Sequence, residues 1–147
     1  MLALDRSYLS TKPRSPDSIE VGRVMTIDPV TARADLPITD AQELMLRAGV
    51  RHLPVLDRGR LVGVVTTRDL EVYRGLGRST GPLTLGEIKT GSPPYVCTPD
   101  TPLDIVARCL LATQTEAAVV LDEHGHVAGI FTTVDALRFV GGQLQAR

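Results

Sequence analysis

The sequence predicts an α+β fold made of two copies of one β-α-β-β-α unit. Three observations carry this. A stretch that reads strand, turn, strand, helix start occurs twice, over residues 51–69 and 117–135. Gly63, Thr66, Thr67 and Asp69 match Gly129, Thr132, Thr133 and Asp135, each 66 residues on. An apolar stripe at helical spacing (Ile38, Ala41, Leu44, Met45, Ala48) returns 65 residues later as Leu103, Val106, Cys109, Leu110 and Thr113. Finally, Val21-Gly22-Arg23-Val24 matches Leu85-Gly86-Glu87-Ile88 at an offset of 64. A register drifting only from 64 to 66 means that the copies differ by single-residue loop insertions.

In chain order, residues 1–17 hold Lys12, Pro13, Arg14, Ser15 and Pro16 with little periodicity and read as a tail or an arm. The first repeat spans residues 18–74. It opens with a short apolar-periodic piece and a turn, because Pro29 pushes Asp28 out of the helical region. A helix is expected over residues 40–48, with Asp40 and Glu43 favouring its start and Gly49 at its C-terminal cap. The apolar runs 53–56 and 61–65 flank a polar turn carrying Gly59 and form a hairpin. A second helix is expected over residues 67–74. Residues 75–83 form the linker, with three Gly and a Pro in the eight residues 75–82. The second repeat spans 84–141, its last helix ending at Gly141-Gly142, and residues 142–147 are a tail.

Composition narrows the function classes. A chain of 147 residues with net charge −1 has no bulk charge to draw a polyanion. Aromatics are 3% and Trp is absent, so stacking platforms for single-stranded nucleic acid are scarce. Cys97 and Cys109 form neither a disulfide framework nor a zinc motif and suit a reducing interior. No apolar run reaches the roughly 20 residues needed to span a bilayer, and Met1–Arg6 has no secretory pattern. The expectation is a cytoplasmic protein without membrane association.

The chemistry concentrates at the two Thr-x-x-Asp motifs. Free N–H groups at a helix start attract anions, and a hydroxyl there donates to phosphate. A carboxylate accepts from both hydroxyls of a ribose diol, and Arg68 has the fork geometry for a phosphate. The same Thr-x-x-Asp pattern is also a helix-capping signature, which the duplication does not separate from a site. Elsewhere, His124 and His126 share a turn with no third metal ligand nearby in sequence. His52 has no Ser or Cys nucleophile placed for it. Asp35/Asp40 and Asp100/Asp104 are loop and cap acids, and Arg58 and Arg60 a solvated edge.

These features resemble a tandem pair of CBS domains, the module named after cystathionine β-synthase. The resemblance rests on Val24-Met25-Thr26, on Val50-Arg51-His52-Leu53-Pro54-Val55, and on the Gly-x-x-Thr-x-x-Asp motifs Gly63–Asp69 and Gly129–Asp135, and it covers about residues 18–141. It implies two repeats related by a pseudo-twofold axis, with adenine nucleotides or other adenosyl ligands in the clefts between them. AMP, ADP, ATP and S-adenosylmethionine are the implied regulatory ligands, and no cofactor is obligatory. By the family pattern Thr66 faces phosphate or ribose and Asp69 the ribose, with Thr132 and Asp135 in the second copy. Val50, His52 and Leu53 line the adenine slot, with Thr26 and Val30 near the entry. Val134 stands in place of Arg68 and Glu116 in place of Arg51, so the second site is the poorer one for a phosphate, with Lys89 a partial compensation. The resemblance further implies a homodimer, no catalytic activity, and an enzyme or transporter partner not on this chain. Two alternatives stay open: a purely structural dimerising module with empty clefts, and a nucleic-acid-binding protein. The second has only Lys12 and Arg14 as local support.

Overall fold

The computed structural model describes residues 17–74, 82–88 and 93–145. Most of the expected tail, most of the linker, and Lys89 lie outside the described residues. The chain divides into two compact units, one formed by residues 30–93 and the other by residues up to 29 together with those from 94 onward.

In the unit of residues 30–93, strand β2 (Ala32–Arg33) leads into helix α1 (Ile38–Ala48), then the hairpin β3 (His52–Asp57) and β4 (Arg60–Thr66), then helix α2 (Thr67–Arg74). The sheet order is β2-β3-β4. β2 pairs parallel to β3 because α1 crosses between them, whereas β3 and β4 pair antiparallel across a two-residue turn. Ile38, Ala41 and Met45, three positions of the expected stripe, are buried against Leu53, Val55, Val65 and Leu70. The helix starts at Ile38, two residues before the expected position, with Pro37 extended at its N-terminal boundary. Gly49 closes α1 at φ 66°, a left-handed conformation that costs glycine nothing.

The other unit repeats this plan. β5 (Tyr95–Cys97) runs parallel to β6 (Ala117–Leu121), helix α3 (Leu103–Thr113) crosses between them, β7 (Val127–Thr132) returns antiparallel, and helix α4 (Thr133–Gln145) follows. Its core gathers Val106, Leu110, Ala118, Val120 and Phe131. Here Gln114 takes the left-handed cap that Gly49 takes in α1. The sheet has one more strand, β1 (Thr26–Ile27), laid antiparallel on the outer edge of β7. Asp122 arrests the β6–β7 turn by accepting the amides of His126 and His124, both at 2.9 Å. The His126 amide foremost holds its carboxyl below the usual range.

The compact units cross the sequence repeats, because each takes its leading segment from the other copy. Val21 is fully buried in the core of α3 and β5–β7, and its match Leu85 is buried in the core of α1 and β3–β4. The backbone bonds correspond one for one. Val21 N–H bonds the Thr101 carbonyl and Leu85 N–H the Leu36 carbonyl, both at 2.9 Å. Leu103 N–H bonds the Ile19 carbonyl at 2.8 Å, and Ile38 N–H bonds the Leu83 carbonyl at 2.9 Å. These partners satisfy helix-start donors that have none within the helix.

The last helix departs from the sequence expectation. Gly141 and Gly142 do not end α4, which runs on to Gln145. Neither glycine adopts a positive φ, so neither forms the left-handed cap the dipeptide suggested. Glycine costs a helix interior only about 1 kcal/mol relative to alanine.

Candidate functional site

The hairpin β3–β4 carries the first motif to the mouth of α2. Thr66 is the last residue of β4 and caps the helix it opens. Its N–H and hydroxyl both donate to Asp69 Oδ2 at 2.9 Å, and Asp69 N–H donates back to Thr66 Oγ1 at 3.1 Å. This is a closed, reciprocal capping arrangement. The first helical amide, on Thr67, is taken by the Arg51 carbonyl at 3.2 Å. Among the described residues nothing donates to Asp69 Oδ1, and the side chain is only partly buried. Among the described residues the carboxylate therefore caps with one oxygen only. His52 pairs in register directly across from Thr66, which puts the two side chains on one face of the sheet. Arg68 is exposed on the first turn of α2.

The second motif is built alike and finished differently. Thr132 N–H and Oγ1 donate to Asp135 Oδ2 at 2.9 and 3.2 Å, and the Thr133 amide is taken by the Glu116 carbonyl. Here Oδ1 is occupied as well. It accepts the Thr26 hydroxyl at 3.0 Å, and Arg138 Nη1 lies 3.6 Å away. Asp135 is 6% exposed, the one buried charged side chain among the described residues. Ala117 stands across from Thr132, where the first motif has His52.

Gly129 explains how Thr26 reaches the acid. Ile27 pairs with Gly129, and a Cβ on that glycine would lie 2.3 Å from Met25 Sδ and 2.9 Å from the Thr26 carbonyl oxygen. Its absence lets β1 settle on β7. Gly63, its match, meets nothing within 4 Å on β4, whose outer edge carries no strand among the described residues.

The ten residues singled out from sequence thus divide. Thr66, Asp69, Arg68 and His52 come together at the start of α2. Thr26, Thr132 and Asp135 come together at the start of α4, with the Thr26 hydroxyl bonded to Asp135. Leu53 is fully buried in the core beneath the hairpin. Strand alternation turns its side chain to the face opposite that of His52. Val30 and Val50 are partly buried and pack on that same core. Arg138 was missed; its only signal was its place one turn beyond Asp135, at i+3.

The remaining candidates for chemistry are weak. Burial foremost, then Cys109, pushes the Cys97 thiol up to about 12, so it offers no thiolate near neutral pH. Burial and a bond with Cys109 raise Tyr95 as well. No group of three His, Cys, Asp or Glu among the described residues is placed to hold a metal ion. No helix among them is long and apolar enough to cross a membrane.

A family model for the CBS domain matches residues 21–73 and 85–142. Among solved structures, the CBS domain pair of protein MJ0100 in complex with 5′-methylthioadenosine and S-adenosyl-L-methionine is 26% identical. The match covers 86% of this chain and 98% of that one, with a TM-score of 0.72. The structure of CBSX2 in complex with AMP is 31% identical, with the same coverage and a TM-score of 0.70. Among curated proteins, the L-aspartate semialdehyde sulfurtransferase of Methanocaldococcus jannaschii is 28% identical over 133 residues, 90% of this chain but 25% of that protein. The chain spans between a quarter and under half of the first curated relatives it matches.

Proposed function

The chain belongs to the CBS domain family and has the fold of a CBS domain pair, and from that premise we propose that it is a regulatory module sensing an adenosyl ligand: AMP, ADP, ATP or S-adenosylmethionine. One observation carries the assignment. Among the described residues the carboxylate of Asp69 is spent on the cap through a single oxygen, at a helix start that also carries Thr66 and Arg68, with His52 paired across from Thr66. A ribose diol can donate to the second oxygen, and Arg68 supplies a cation for a phosphate. The relatives bound to AMP and to S-adenosylmethionine support the ligand class. The module performs no catalysis of its own. It signals through a change of module or dimer geometry to an enzyme or transporter partner, which requires the ligand to favour one arrangement over the other.

Thermal unfolding against AMP, ADP, ATP, S-adenosylmethionine, NAD and GTP tests this. At about 100 times its dissociation constant, one adenosyl ligand should raise the midpoint by several degrees, and Asp69→Ala should abolish the shift. If no ligand moves the midpoint, Thr66 and Asp69 are caps only and the purely structural dimerising module takes the lead.

A second observation favours self-association within the same assignment. Leu46 on α1 and its repeat match Leu111 on α3 are 83% and 79% exposed, and Leu137 on α4 is 72% exposed. Val134 and Val140 continue that α4 stripe at a spacing of three residues. Apolar surface repeated in both copies suits a homodimer, whose interface is self-complementary. Sedimentation equilibrium should show a dimer, and Leu111→Asp with Leu137→Asp a folded monomer. A monomeric parent chain would overturn the dimer.

A further inference from the structure

We infer that Thr26 is a latch on the second motif: its hydroxyl occupies the carboxylate a ligand's diol would need, so a ligand reaches Asp135 only by displacing it. This rests on the adenosyl-sensing assignment above. Asp135 has both oxygens engaged, Oδ2 by Thr132 and Oδ1 by Thr26 at 3.0 Å. Asp69, the same residue of the same motif, has one oxygen open among the described residues. The Thr26 hydroxyl thus stands where a ribose hydroxyl would stand, donating to the same kind of atom.

The latch is held by backbone as well as by one hydroxyl. Thr26 pairs with Ile130 and Ile27 with Gly129, and Asp28 N–H bonds the Ala128 carbonyl at 3.3 Å. Displacing Thr26 therefore works against the docking of β1 on β7. Among the described residues the two motifs therefore differ in more than the exchange of Arg68 for Val134. Among the described residues the first keeps one oxygen of Asp69 without a donor, and the second is filled by the protein's own hydroxyl. A ligand at the second motif is coupled to β1, which gives that motif a structural output.

Titration calorimetry with 5′-methylthioadenosine, which carries a ribose diol and no phosphate, tests the latch. The first motif is silenced by Asp69→Ala, and Thr26→Val, Thr26→Ala and Thr26→Ser are compared in that background. Thr26→Val and Thr26→Ala should bind about tenfold tighter than Asp69→Ala alone, the factor associated with about one charge-assisted hydrogen bond. Thr26→Ser, which keeps the hydroxyl, should bind as Asp69→Ala does. Binding that is unchanged or weaker in both Thr26→Val and Thr26→Ala overturns the latch while the sensor assignment stands on the parent chain. Absence of binding in every variant and in the parent chain, to this probe and to AMP, overturns both.

Discussion

Asp135→Ala should destabilise the chain by about 3 kcal/mol and Asp69→Ala by about 1 kcal/mol, although the two acids occupy the same position of the same motif. The difference follows from what each carboxylate holds. Asp69 is a partly buried cap, and the loss of a cap costs typically about 1 kcal/mol. Asp135 is 6% exposed and accepts from the Thr132 amide, the Thr132 hydroxyl and the Thr26 hydroxyl. Hydrogen bonds to a charged group contribute about 1.5–3 kcal/mol, and donors left without an acceptor add to the loss. Removing Asp135 also frees β1, whose side-chain anchor it is. Urea unfolding measures both variants, with midpoints compared at equal slope. Equal losses would mean that the Thr26 bond contributes nothing to the fold.

That asymmetry marks where sequence reasoning reached and where it stopped. The repeat itself was legible, because the offsets of 64 to 66 bring Gly63, Thr66 and Asp69 into line with Gly129, Thr132 and Asp135. The hairpins and helices followed from apolar spacing, and the capping geometry from Thr-x-x-Asp. What a repeat does not encode is which copy supplies a segment. Val21 and Leu85 match, so their surroundings are alike, yet the match is silent on the fact that each packs in the unit built on the other copy. The partner of Thr26 was hidden for that reason: its acid lies 109 residues away. Leu53, expected at the adenine slot, is sent into the core by strand alternation. Gly141-Gly142 misled because a glycine pair reads as a stop, and only the local φ shows whether a cap forms.

Gly129→Ala should cost about 2 kcal/mol, whereas Gly63→Ala should leave stability within about 0.5 kcal/mol of the parent. Both glycines sit in the same place of the same motif, on the strand leading to the capping threonine. The methyl at position 129 would arrive 2.9 Å from the Thr26 carbonyl, a backbone atom that moves only if β1 moves. Met25 Sδ, at 2.3 Å, can swing aside, but the strand cannot do so without loosening Ile27 from Gly129 and Thr26 from Ile130. At position 63 the methyl meets nothing within 4 Å among the described residues. The pair therefore measures the docking of β1 directly, apart from the chemistry of the acid. It also bears on the latch: if Thr26 is held over Asp135 by that docking, Gly129→Ala should loosen the hydroxyl and mimic Thr26→Val in the titration. A variant that loses stability without gaining ligand would separate the strand's structural part from its gating one.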